Sequence, residues 1–220
     1  MIFMDKKIVK DDFLTTASSD EIVRAGRSEP DFDHKGGLAE LVRRGGPRHI
    51  YLAGAYWKDF DYAKGFKALS AMGDPEYIYR AGWYWKEFDR AAGLERLIEL
   101  KNPRYIFYAG LDWKGFDYGR AFQALVSFGD VEYIFYAGAH WKEFDYEAGF
   151  DELIKTDRME YVYKAGCLWR RFDFLRAWRR MEYFVDDGEE WRGRAFDHER
   201  WRNALRLIWD ELWEREGPRS

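Results

Sequence analysis

The sequence predicts an all-α fold: a right-handed α-solenoid of six 28-residue two-helix repeats, followed by a C-terminal capping helical unit. Three observations lead there. The dipeptide Ala-Gly falls at Ala25-Gly26, Ala53-Gly54, Ala81-Gly82, Ala109-Gly110, Ala137-Gly138 and Ala165-Gly166, every step being 28 residues. The pair Phe-Asp keeps the same step, at Phe32-Asp33, Phe60-Asp61, Phe88-Asp89, Phe116-Asp117, Phe144-Asp145 and Phe172-Asp173. Within each period, the signals that start and stop a helix occur twice.

One copy, Gly73 to Leu100, shows how. Asp74 is a good N-cap, Pro75 suits the first helical position, and Glu76 favours the positive end of the helix dipole. These predict a helix from Pro75 to Glu87. Asp89 then caps a second helix predicted from Arg90 to Leu100, and Gly45, Gly73 and Gly129 end its equivalents. On the first helix Ile78, Ala81, Gly82 and Trp85 fall at helical spacing and form one apolar stripe; Leu94 and Leu97 do the same on the second. A mid-helix glycine in every copy predicts close helix–helix approach, with tryptophan filling the adjoining space.

The repeats place an N-terminal cap at residues 1–18, six helical hairpins at 19–186, and a degenerate seventh copy with a capping helix at 187–220. In that last segment Phe196-Asp197 repeats the cap. A final helix from about His198 to Glu216 puts Trp201, Leu205, Ile208 and Leu212 on one stripe, leaving Trp209 or Trp213 for dimerisation.

Composition narrows the function classes. The chain is 47% hydrophobic and 20% aromatic, with 11 Trp, which supplies ample apolar area for a core. A net charge of −4 argues against a generally basic nucleic-acid binder, although not against a local basic patch. The single Cys167 excludes an internal disulfide framework and fits a reducing compartment. No apolar run is long enough to span a membrane and the start lacks a signal-peptide core, so the expected location is cytoplasmic, with no membrane partner. Phosphate-binding loops, zinc motifs, cysteine pairs and nucleophile elbows are absent, and the four histidines share no metal spacing. The chain is therefore expected to be no enzyme and to use neither cofactor nor metal.

The W-K-x-F-D and D-P-E-Y-I-Y signatures sit in a two-helix repeat that resembles the broad α-solenoid class of HEAT, armadillo and tetratricopeptide proteins. The 28-residue period is shorter than theirs, and the signatures match none of their consensus patterns. The resemblance implies an architecture and a macromolecule-binding role, mostly for proteins or peptides and in some cases for nucleic acids.

Three ladders repeat with the hairpins. Asp33, Asp61, Asp89, Asp117, Asp145 and Asp173 read as N-caps before metal ligands, and Trp57, Trp85, Trp113, Trp141 and Trp169 read as core before ligand platforms. The first copy has Glu29 in place of the tryptophan, as a water-facing cap would. The cations Lys58, Lys86, Lys114, Lys142 and Arg170 read as solvated charges with stems over the aromatic seven residues earlier, or as a basic stripe for phosphates or an acidic peptide.

The positions that vary between copies carry the candidate partner contacts: Arg80, Trp83, Tyr108, Leu111, Tyr136, His140 and Lys164. Candidate anion contacts are the cation ladder with Arg171, Arg176, Arg179 and Arg180, which otherwise pair with Glu182, Asp186, Asp187, Glu189 and Glu190. The expectation is a non-catalytic scaffold binding a protein or peptide. The alternative is nucleic-acid binding through the lysines and the arginine cluster, and aromatic richness alone suggests a carbohydrate.

Overall fold

A computed structural model describes the backbone of residues 12–183 and 199–216, with side chains to 180 and from 199 to 207. Phe196-Asp197, the acidic run from Asp186 to Glu190 and the side chains of Glu182, Ile208, Trp209, Leu212 and Trp213 lie outside the described residues. Among those described, every regular element is an α-helix, and no helix is long and apolar enough to cross a membrane.

The chain divides into two compact units, one ending at Asp117 and the other beginning at Tyr118. In the first, a helical turn at 12–16 precedes α1 (Ser19–Ser28), α2 (His34–Arg44), α3 (Pro47–Tyr56), α4 (Tyr62–Met72), α5 (Pro75–Tyr84), α6 (Arg90–Glu99) and α7 (Pro103–Asp112). Each helix packs on the next, and the odd-numbered ones also lie side by side, α1 on α3, α3 on α5 and α5 on α7. The second unit holds α8 (Tyr118–Phe128), α9 (Val131–His140), α10 (Tyr146–Ile154), α11 (Met159–Leu168), α12 (Phe174–Tyr183) and α13 (Glu199–Glu216). There α9 packs on α11, and α11 on α13.

Local chemistry sets the helix starts. Asp33, Asp61, Asp89 and Asp145 each accept a hydrogen bond of 3.0 Å from the backbone N–H three residues on, and Asp173 accepts one of 2.9 Å from Arg176. Among the odd helices, α1 is capped by Ser18, which forms a reciprocal box with Glu21, and α5, α7 and α9 by Asp74, Asn102 and Asp130, while α3 and α11 start without a side-chain cap. Gly45, Gly73 and Gly129 close even helices with left-handed φ values of 74°, 70° and 66°. Lys101 stands at the one intervening 28-residue step and takes φ 50° there without the freedom of glycine.

The odd helices end earlier than the sequence predicts. α5 stops at Tyr84 rather than running to Glu87, because Trp85 turns extended (φ −73°, ψ 139°) while its N–H still closes on the Ala81 carbonyl at 2.9 Å. The lysine that follows therefore sits in the interhelical turn, not on a helical face above the aromatic seven residues earlier.

That turn throws the indole onto the preceding hairpin. Trp85 Nε1 donates to the Tyr51 carbonyl at 3.0 Å, within α3. A Cβ on Gly54 would lie 2.3 Å from the indole Cε2, and one on Gly65 of α4 would lie 3.0 Å from Cη2. The glycines thus make room not for the tryptophan of their own copy but for that of the next. The geometry recurs for Trp57 on Gly26 with the Val23 carbonyl, Trp113 on Gly82 with Tyr79, and Trp169 on Gly138 with Phe135, all at 3.0 Å. Trp201, from the first turn of α13, does the same on Gly166 with the Tyr163 carbonyl at 3.1 Å. Trp85 is 2% exposed and Trp169 and Trp201 are fully buried. On the last helix, Trp201, offset from the ladder, and Leu205 are both buried.

Other rings hold each indole in place. Phe60 and Tyr62 meet Trp85 edge-on at 5.1 and 5.8 Å, as Phe144 and Tyr146 meet Trp169 at 5.1 and 5.8 Å. The Tyr62 position is an aromatic or histidine in five copies (His34, Tyr62, Tyr118, Tyr146, Phe174) and Arg90 in the sixth, where its Nε is buried with no acceptor.

Gly54→Ala tests the packing. Alanine gains about 1 kcal/mol of helix propensity, but a Cβ at 2.3 Å from a buried ring must displace it, and overpacking costs about 1–3 kcal/mol before the loss of the indole hydrogen bond, about 1 kcal/mol more. The expected result is a melting temperature lower by several degrees; an equal or higher one contradicts the placement. Arg90→Tyr should act in the opposite sense, removing an unsatisfied buried donor and raising stability by about 1 kcal/mol in a denaturant titration.

A candidate interface of aromatic and arginine side chains

The C-terminal ends of the odd helices in the first unit carry side chains that the core does not use. Tyr56 ends α3, Trp83 and Tyr84 end α5, and Leu111 lies one residue before the end of α7; they are 51, 46, 54 and 40% exposed. Arg27 covers Tyr56, and ring contacts join Trp83 and Tyr84 to α3 and α7. The Arg27 guanidinium, from the last turn of α1, lies 5.0 Å over the Tyr56 ring. Tyr51 on α3 meets Tyr84 on α5 at 6.2 Å, Tyr84 stacks obliquely on Trp83 at 4.6 Å, and Trp83 meets Tyr79 at 6.1 Å. From Tyr79 the rings continue onto α7, to Tyr105 at 5.6 Å and Tyr108 at 6.0 Å.

Beside this strip Glu76, Tyr79, Arg80, Arg104, Tyr105 and Tyr108 line a concavity of about 260 Å³. Its polar groups are internally matched. Arg80 pairs with Glu76 at 2.8 Å, Tyr105 Oη donates to Glu76 at 3.3 Å, and Tyr79 Oη donates to Asp112. Arg104 lies over Tyr105 and Tyr108 at 5.7 and 5.6 Å. Burial, and then the bond to Asp112, push the Tyr79 phenol far above its ordinary 10.0. Asp112 is the last residue of α7, where the helix dipole disfavours a carboxylate, and the Tyr79 hydroxyl offsets that cost.

The sequence-predicted contacts distribute unevenly. Arg80 and Tyr108 line this concavity, Trp83 packs on Tyr79 at its edge, and Leu111 is exposed near the end of α7. In the second unit Tyr136 is half-buried against Tyr133 and Phe135 at 5.9 and 5.2 Å, Lys164 lies 4.9 Å over Tyr161, and His140 is exposed at the end of α9. Arg158 also covers Tyr161, at 4.6 Å, and pairs with Glu160 at 2.9 Å.

Among the anion candidates, Lys58, Lys86 and Lys114 in the first unit and Lys142 and Arg170 in the second are exposed. The cations found over rings among the described residues, such as Arg27, Arg158 and Lys164, are not those of the ladder. Arg171 and Arg179 are exposed as well. Arg176 is held by Asp151 at 2.7 Å and lies over Phe150 at 5.0 Å. Arg180 Nε donates to the Ile154 carbonyl at 3.0 Å, just as Arg96 Nε donates to Ser70 at 3.0 Å, so its fork ties two even helices together. Arg171 and Arg176 line a polar groove of about 600 Å³ with Phe150 and Phe172.

Sequence reasoning missed Tyr56, Tyr84, Arg27 and Arg104. The residue before each ladder tryptophan is Tyr56, Tyr84, Asp112, His140 or Leu168, as variable as the positions singled out, and only its His140 member was noticed. It also missed a groove of about 670 Å³ between α2 and α4, floored by Leu38, Ala39, Val42, Ala68 and Ala71 and flanked by Lys35, Lys64 and Lys67. Among the described residues no three His, Cys, Asp or Glu side chains are grouped to hold a metal ion.

Tyr79→Phe probes the hydroxyl bridge. Because the folded phenol titrates above the unfolded value of 10.0, its contribution is complete below pH 10.0 and is lost as pH rises through the folded value. The parent should lose stability more steeply above pH 10.0 than the phenylalanine variant, as read from urea midpoints across that range; parallel curves would contradict the assignment. The chain has no significant match to a protein-family model, to a curated protein or to a solved structure.

Proposed function

We propose that the chain is a non-catalytic helical-repeat scaffold, of right-handed α-solenoid type, that binds a protein or peptide partner through the aromatic strip on α3, α5 and α7. The observation that carries this reading is the division of labour among the large aromatics. Trp57, Trp85 and Trp113 are at most 4% exposed and hydrogen-bonded inward, whereas Trp83, Tyr84 and Tyr56 are about half exposed on one face. Exposed Trp, Tyr and Arg grouped in this way are the residue types that dominate protein-binding energetics. Selection of displayed peptides against the immobilised chain should return sequences whose binding is lost in Trp83→Ala and Tyr84→Ala but kept in Lys86→Ala. Selected peptides indifferent to the aromatic substitutions would move the site elsewhere.

A second reading, nucleic acid on the lysines and the C-terminal arginine cluster, draws on one observation. Lys58, Lys86, Lys114 and Lys142 are exposed and have no carboxylate partner among the described residues. It requires affinity that falls steeply with salt, and Lys86→Gln should then reduce the logarithmic salt slope by about 1. Absence of a gel shift at low salt removes it.

A further inference from the structure

We propose that the occupant of the α3–α5–α7 strip is a proline-rich segment in the polyproline II conformation with an acidic residue at one end, an assignment that rests on the peptide-binding reading above. Three features point to it.

The first is pitch. Packed helices stand about 8–10 Å apart. A polyproline II helix rises about 3.1 Å per residue with three residues per turn, so one turn advances about 9.3 Å. Tyr56, the Trp83–Tyr84 pair and Leu111 mark successive odd helices, so each helix would meet the same face of the peptide one turn later. A β-strand advances about 6.6 Å per side-chain repeat and drifts out of step.

The second is ring geometry. The rings are inclined to one another, by 67° for Tyr51 and Tyr84, 37° for Trp83 and Tyr84, and 36° for Tyr79 and Trp83. So inclined, they do not form the flat platform on which a sugar or base stacks, and the ridged surface of a proline helix suits them better. The Trp83 indole N–H and the Tyr56 and Tyr84 hydroxyls have no hydrogen-bond partner among the described residues. A polyproline II backbone leaves its carbonyls unbonded, and these donors match them.

The third is charge. On α5 and α7 the carboxylates of Glu76 and Asp112 are engaged by Arg80 and by Tyr79. At the α1 end of the strip Arg27 has only the Tyr56 ring and no carboxylate among the described residues. Arg27 thus presents a cation without a carboxylate at the α1 end of the strip. That complements an acidic residue flanking the proline run.

The test is isothermal titration of the full chain with a synthetic peptide of nine prolines preceded by two aspartates, compared with a Gly-Ser peptide of equal length carrying the same aspartates. The proline peptide should bind at least roughly tenfold tighter. Trp83→Ala and Tyr84→Ala should each weaken it by roughly tenfold with thermal melts unchanged, and Arg27→Gln should lower the preference for the acidic end. Equal binding of the two peptides, or full affinity in Trp83→Ala, overturns the proposal. If peptides lacking proline bind through Trp83 while the proline peptide does not, the ligand class falls and the peptide-binding reading stands. If only oligothymidylate or a soluble oligosaccharide binds through Trp83, both fall.

Discussion

The fold depends on an indole seated on a glycine of the preceding hairpin. Each ladder tryptophan for which the contact is described spans two helices of its predecessor, with its ring over two glycines and its N–H on a backbone carbonyl. Neither partner works without the other. A side chain on the odd-helix glycine would overlap the ring, and without the ring the glycine would only weaken its helix. The hydrogen bond adds direction, because a buried indole N–H left without an acceptor is costly. Apolar burial alone would tolerate a sliding contact; this one defines where each hairpin meets the last.

The remaining features follow from placing that indole. The odd helix must stop just before its tryptophan so that the indole can turn away, and the next aspartate then begins the even helix. Phenylalanine and tyrosine from the preceding hairpin's turn hold the indole edge-on. The C-terminal helix supplies Trp201 where the ladder would have ended, giving Gly166 an indole like that on Gly54 or Gly82. With these contacts committed to the core, the ends of α3, α5 and α7 are left to carry Tyr56, Trp83, Tyr84 and Leu111 toward solvent.

Local chemistry was legible in the sequence and distant pairing was not. The aspartate caps and the glycine helix ends depend on residues three or four apart, and Asp61, Asp89 and Gly73 act as their types suggest. The role of Gly54 depends on a ring 31 residues later, and a periodic sequence cannot distinguish its own tryptophan from the next copy's, since every copy has both. The same ambiguity hid the end of α5: Trp85 continues a helical stripe on paper, but its backbone is extended because its side chain is wanted elsewhere. At the candidate interface, Trp83 and Leu111 were legible because they refuse to repeat. Tyr84 was missed because a helix drawn through to Glu87 gives the residue before the tryptophan no reason to face water. Arg180 reads in the sequence as an anion contact or a partner of the acidic run, because its carbonyl acceptor lies 26 residues away.

The tryptophans divide into inward clamps and an outward contact residue. Hydrogen exchange of the indole N–H groups, followed by NMR with ¹⁵N-labelled tryptophan, tests it directly. The Trp57, Trp85, Trp113 and Trp169 indoles, bonded to carbonyls at 3.0 Å, should exchange slowly, while Trp83 exchanges at the rate of a free indole. A protected Trp83, or a Trp85 indole that exchanges as fast as free tryptophan, would contradict the account.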